Sequence, residues 1–476
     1  MSLGHAVQRS ATTSGRTLPA TLPRSVHAVG ERNWRLTAFL TGLGSQLFVR
    51  LIGYLAFTEV FFLVTAPLKL RALLAAASGT PSTTIFTILW VLWVIGSITA
   101  DLVNGSQFDI LARGVSRSLF LGLDVLILYA LWRRKYEKIE YFLLAYPVSL
   151  FISRFVFKSG AEEWLGAETT DFSQWKANTS YLVVGVLYAF VACLYRRAPL
   201  LVAAATAATG VFFTAMGSRS YGLTQFLAAV LMIAFPGGGA RAAADMVAVV
   251  RKRRGLAYKI AGGILLGVLT VYAAGQAYKA ATRAGLLGEQ ELLKLEDQGR
   301  TKGGILVGGR FGFFVGLWAA SHKPILGHGS WPLDVYGYTG EVVDMFEIDT
   351  KDARMMTKKL YWIPCHSATV SGWVEHGIFG LLFWLFVIYL LCVNYPRAAV
   401  VFPAYAGLYA LFFSDMIWQV LFSPAGHRVI LAAKIVSMLL VDDAWRRQTQ
   451  SVRRESVAVR LRSVARRVSA PETGAA

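Results

Sequence analysis

The chain has 476 residues, of which 55% are hydrophobic and only 16% charged. Too apolar for an ordinary soluble domain, it fits a polytopic membrane protein. The net charge of +20 gathers in terminal tails and short loops, where it marks the cytoplasmic side of a membrane, so nucleic-acid partners are not expected.

Residues 1–34 form a basic tail rich in Ser, Thr and Arg, without the apolar core of a cleavable signal peptide. About 20 apolar residues cross a bilayer as a helix. Runs near that length predict spans at Leu47–Ala66, Thr83–Val103, Leu119–Trp132, Ile139–Phe157, Tyr181–Tyr195, Pro199–Gly217, Tyr221–Phe235 and Leu256–Gly275. A long polar insertion, Gln276–Cys365, follows; connections of that length are usually functional. Three further spans are expected at His366–Val393, Ala398–Phe413 and Met416–Val441. The expected fold is all-α, a polytopic integral membrane protein of ten to twelve transmembrane helices with one long periplasmic loop. Its divisions are a basic tail (1–34), an amino-terminal bundle (35–275), the loop with short helices (276–365), carboxy-terminal spans (366–441) and a basic cytoplasmic tail (442–476).

Basic clusters at Arg133–Lys138, Arg196–Arg197, Arg251–Arg254 and after Asp443 are mutually consistent if all face the cytoplasm. The segment Ala161–Asp171, the turn Gly217–Ser220 and the long insertion then face the periplasm. Counting back from Arg133, however, leaves the amino-terminal tail outside. Two short passes or a re-entrant hairpin across Leu36–Ala66 return it to the cytoplasm; an interfacial helix does not. The tail from Trp445 to Val468 suits a basic amphipathic helix on anionic lipid or a disordered segment. Cys193 and Cys392 lie in apolar runs and Cys365 alone in an aqueous segment, which offers neither a disulfide framework nor a zinc site.

Three outward-facing residues can handle an anion or a proton. Arg219, in MGSRSYG, sits between two spans, where its guanidinium either clamps phosphate or snorkels to the headgroups. Arg310 follows two glycines and opens an apolar helical pattern with Phe311, Phe314, Val315 and Trp318 on one face. It reads either as a phosphate site at a helix start or as a solvated arginine on an interfacial helix. His366 follows Pro364 at the start of a span, where the helix dipole disfavours its protonated form and a neutral imidazole can take a proton from a hydroxyl. Glu375, nine positions on and about 13 Å deeper at 1.5 Å per residue, cannot pair with His366 and is expected to satisfy a neighbouring span. His328 and His376 read as structural. Asp109, beside Arg113 and Arg117 in an earlier loop, competes with His366 as the base.

In this order GSRS, then GGR with a Trp and PILGHGS in the long loop, then HSATVSGWVEHGIFG, the chain resembles the O-antigen ligase and O-antigen polymerase family from about Met216 to Leu391. The resemblance implies a metal-independent GT-C type glycosyltransferase of the bacterial inner membrane, without cofactor. Its donor is a glycan carried on undecaprenyl diphosphate and its acceptor a glycan or lipid-linked sugar. By that similarity Arg219 and Arg310 hold the diphosphate and His366 is the base or orienting group. The family more often has Asn where this chain has Ser367. A rival expectation is a transporter or flippase of a lipid-linked glycan, in which the arginines guide diphosphate without bond making; a non-catalytic scaffold is a third.

Overall fold

The structure, a computed structural model, describes residues 24–157, 171–235, 262, 269, 272–273 and 275–468, apart from 52, 68–69, 134, 217, 287–288, 300, 303, 349–355, 358–360 and 424–426. The protein is mostly helical. Among the described residues five helices are long and apolar enough to cross a membrane, or six if one sharply bent pair counts as a span; Thr179–Leu194 and Pro199–Ala215 are apolar but shorter. The expected span at Leu256–Gly275 and the basic cluster Arg251–Arg254 lie largely or wholly outside the described residues, as does most of Ala161–Asp171.

The amino end corrects the expected helical span at Leu47–Ala66. Helix α1 (Arg24–Gly44) runs alongside α6 (Lys138–Phe151), with Trp34 edge-on to Tyr141 at 5.5 Å and Lys135 5.1 Å from the Trp34 ring. Strands β1 (Phe48–Leu51) and β2 (Gly53–Ala56) then form an antiparallel hairpin that turns the chain at the far end. Phe48, Val49 and Leu55 suit the pleated pairing. Helices α2 (Phe57–Thr65) and α3 (Leu70–Ala77) lead back to Gly79, which lies against Arg133. Trp34 and Arg133 therefore share one end of the bundle.

Helices α4 (Pro81–Val103) and α5 (Phe108–Trp132) come next. The latter starts eleven residues before the expected Leu119, so Asp109, Arg113 and Arg117 ride on a helix and not in a loop. Asp109 and Arg113 support that extension as an exposed i,i+4 pair at 3.6 Å. Helices α7 (Asp171–Leu194), α8 (Pro199–Ala215) and α9 (Arg219–Ala234) follow α6. Shorter helices among the described residues of the long insertion include α10 (Glu289–Gly299), α11 (Gly304–Gly308), α12 (Phe311–His322) and α13 (Tyr338–Phe346).

Toward the end of the described residues come α14 (Ala368–Val401), a short 3-10 helix at Pro403–Tyr405, α15 (Ala406–Phe422) and α16 (Arg428–Val468). The break expected between Phe413 and Met416 is absent because Asp415 is satisfied inside the bundle. It accepts from Tyr188 Oη at 2.5 Å and Gln419 Nε2 at 3.1 Å, and pairs with Lys434. With its carboxylate paired, a buried acid no longer forces the helix to end. From Val429 to Asp443 every residue of α16 is buried, which makes this the central helix; beyond Asp443 it leaves the bundle.

Candidate active site

Helix α12 meets the start of α14 through small residues. Its buried face is Phe311, Gly312, Val315, Gly316, Ala319 and Ala320. The face expected from the sequence included Trp318, which instead turns outward and donates its indole N–H to Glu341 Oε2 at 2.5 Å. Glycine explains the difference, since it lets backbones approach more closely than rings allow. A Cβ on Gly312 would lie 2.2 Å from His366 Nδ1, and one on Gly316 would lie 2.6 Å from Val370 Cγ1.

His366 is exposed and has a φ of +43°, a left-handed conformation uncommon for a side chain with a Cβ and costly unless the surroundings hold it. The next residue, Ser367, is anchored twice. Its Oγ accepts from Val370 N at 3.2 Å as the N-cap of α14 and donates to Val420 O at 2.9 Å. Thr369 Oγ1 donates to the same carbonyl at 2.9 Å. Two residues on, Phe422 O accepts from Arg310 Nη1 at 2.5 Å. The last carbonyls of α15, which have no partner within their own helix, thus gather Ser367, Thr369 and Arg310 at one place.

Arg310 occupies the residue before α12 and its Cζ lies 5.0 Å from the Trp418 ring centroid. Burial lowers its pKa, yet a guanidinium stays charged at neutral pH and carries five N–H donors, of which Phe422 O takes one. Arg219 opens α9, which packs along α15, and its guanidinium lies 4.2 Å over the Tyr278 ring. The structure therefore joins Arg310 and His366 around Gly312 and the end of α15, and sets Arg219 at the same end on a neighbouring helix. Cys365 is pushed up to about 12 by burial, a push that Arg117 partly opposes; at neutral pH it is a thiol and no nucleophile.

Sequence reasoning missed a second polar network behind this surface. Helix α14 is broken at His376 and at Gly377, whose φ is +61°. The loop Pro324–Ser330 fills the break: His328 N donates to Val374 O at 2.7 Å, Gly329 N to Glu375 O at 3.0 Å, and Ile378 N to Ile325 O at 3.1 Å. At Gly377 a Cβ would fall 1.9 Å from Ile325 O. His328 is structural as expected, its Nε2–H bonding Ala319 O at 2.9 Å, and burial lowers its pKa.

Trp93 Nε1 donates to His376 Nδ1 at 2.9 Å, which leaves the proton of a neutral ring on Nε2, 3.3 Å from Ser330 Oγ. That hydroxyl donates to Asp101 Oδ2 at 2.8 Å, and Ser330 N to Asp101 Oδ1 at 2.6 Å. Glu375 pairs with Arg117 from α5 and accepts from Ser371 Oγ at 2.7 Å, while Arg117 Cζ lies 4.9 Å over the Trp331 ring. Glu375 thus satisfies a neighbouring helix, and Arg117 pairs away from Asp109. The available signal was the polar groups inside apolar runs, above all Asp101, since such residues are retained in spans for a partner or a function. No protein family matches the chain, and no curated protein or solved structure matches it.

Proposed function

We propose that this protein is an inner-membrane glycosyltransferase that transfers a glycan from undecaprenyl diphosphate to an acceptor sugar at the periplasmic face, as an O-antigen ligase or a surface-polysaccharide polymerase. One observation carries the reading: the end of α15 takes both Arg310 and Ser367, and the exposed imidazole of His366, next to Ser367, lies against Gly312, two residues after Arg310. In the reaction the acceptor hydroxyl oxygen bonds the anomeric carbon and its proton passes to His366. The bond from that carbon to the diphosphate oxygen breaks, and the departing diphosphate carries the electron pair and its charge toward Arg310 and Arg219. Stabilising charge where it develops is commonly the largest catalytic term.

The test is transfer from a lipid-diphosphate-linked glycan by the full chain in proteoliposomes. Arg310→Lys should lose nearly as much activity as Arg310→Ala, because lysine keeps the charge and loses the planar fork. Full glycan output from properly inserted Arg310→Ala sinks the assignment. In cells lacking the protein, accumulated single repeat units mark a lost polymerase and long unattached polymers a lost ligase.

The flippase reading draws on the ionisable groups inside the bundle, such as Asp415 and Lys434, since intramembrane charges often mark transport paths. Repeats trapped on the cytoplasmic side in the same null cells support it against the transferase.

A further inference from the structure

At the other end of the bundle, where α5 stops and α16 leaves the interior, lies a cavity of about 600 Å³. We propose that it binds the phosphate headgroup of an anionic phospholipid. Two arginines on its wall, Arg133 and Arg447, share one carboxylate: Arg133 Nε lies 3.6 Å and Arg447 Nη2 3.3 Å from Asp443 Oδ2. With Arg397 and Arg446 on the adjacent Asp442, four guanidiniums stand against Asp442, Asp443 and Glu137, which leaves one positive charge that a phosphodiester monoanion completes. Both side chains reach solvent, at 36% and 61% exposure, so a headgroup can meet them without displacing the core.

The rest of the wall suits the remainder of such a molecule. Trp132, Tyr136, Phe402 and Leu440 line it, with the Tyr136 and Phe402 rings stacked at 4.3 Å. Aromatic groups of this kind belong at headgroup depth. Glu137 also borders the cavity and disfavours a small dianion such as free phosphate, whereas a lipid holds its single charge at the arginines and its chains against the rings.

Placement and charge agree with a membrane rim. From Arg428 to Arg447 helix α16 covers about 28 Å at 1.5 Å per residue, close to the roughly 30 Å of a hydrocarbon core. Among the described residues, Arg133, Arg397, Arg446 and Arg447 around the cavity share Asp442 and Asp443 as ion-pair partners. An anionic lipid gains about 1 kcal/mol for each basic residue it meets at a membrane surface.

The experiment is native mass spectrometry of the full chain after exchange into mixed micelles of phosphatidylglycerol and phosphatidylcholine. Phosphatidylglycerol should be retained roughly thirtyfold over phosphatidylcholine, the ratio that about 2 kcal/mol from two arginines supplies. Arg447→Gln, a change on an exposed side chain, should remove most of that preference. Ala444→Phe fills the cavity with both arginines intact and should also release the lipid, in protein whose melting temperature is unchanged. Equal retention of the two lipids overturns the proposal, as does unaltered phosphatidylglycerol binding by Ala444→Phe. Displacement of the lipid by millimolar inorganic phosphate reassigns the site to free phosphate and overturns the lipid.

Discussion

Gly312 lies directly against the imidazole of His366, close enough that a Cβ there would come within 2.2 Å of Nδ1. The position of the ring is thus set by a missing side chain two residues after Arg310. Gly312→Ala should push the ring away and cut transfer by about 100-fold, the order of loss from an ångström-scale misplacement. Because His366 is exposed, thermal unfolding in detergent should change little. Activity within twofold of wild type would separate the ring's position from the reaction.

Ser367 performs two tasks with one hydroxyl, capping α14 and tying it to Val420 O. Ser367→Ala should cost about 1 kcal/mol of stability, as loss of an N-cap does, and should lower activity further by freeing His366 from its left-handed conformation. Asn in its place keeps the cap and should retain more of both. Melting temperatures and initial rates of the two variants side by side check the order.

Glu375, buried, and Arg117, partly buried, bind each other from different helices. Removing one partner of such a pair strands the other, at about 3–5 kcal/mol. Glu375→Ala should therefore unfold at lower denaturant than wild type, and Arg117→Met combined with Glu375→Met should recover much of the loss. A double variant as unstable as the sum of its single changes contradicts the pairing.

His427, between α15 and α16, faces Arg154, whose Nη2 lies 3.0 Å from its Nε2, along with Arg428 and the ring of Tyr181. Burial first, and then the two arginines, bring its pKa down to about 3. The unfolded chain, with an ordinary histidine near pH 6.5, binds the proton more readily. Stability from this residue is therefore complete above about pH 6.5 and falls as the pH drops toward 3, by at most about 1.4 kcal/mol per unit. Melting temperatures measured from pH 7 to pH 4 should decline, and His427→Gln should flatten the decline.

The membrane class was legible because it rests on summed composition, and Thr83–Val103 lies within the observed Pro81–Val103 because that run is uniformly apolar. His366 reads from Pro364 as the first residue of its span; the helix begins two residues later, at Ala368, with Ser367 as its cap. What stayed hidden depends on distant partners. Asp415 reads as a helix break until Lys434 and Tyr188 are seen around it. Arg117 and Glu375 are 258 residues apart, and nothing in either neighbourhood names the other. Ser330 closes the PILGHGS motif; its partners Asp101 and His376 come from two different helices. The hairpin at Phe48–Ala56 escaped because an apolar run reads alike as helix or strand when its length is short.

The break in α14 ties the order of assembly to the long insertion. The carbonyls of Val374 and Glu375 and the N–H of Ile378 pair with residues from Ile325 to Gly329, and in a low-dielectric surrounding an unpaired peptide group is costly. The two halves of this span therefore cannot be finished when they enter the bilayer; they are completed when a segment made earlier folds back onto them. Amide exchange at Ile378 should be slow in the intact protein and fast once Gly327→Val keeps that segment out, with α4 and α5 still protected.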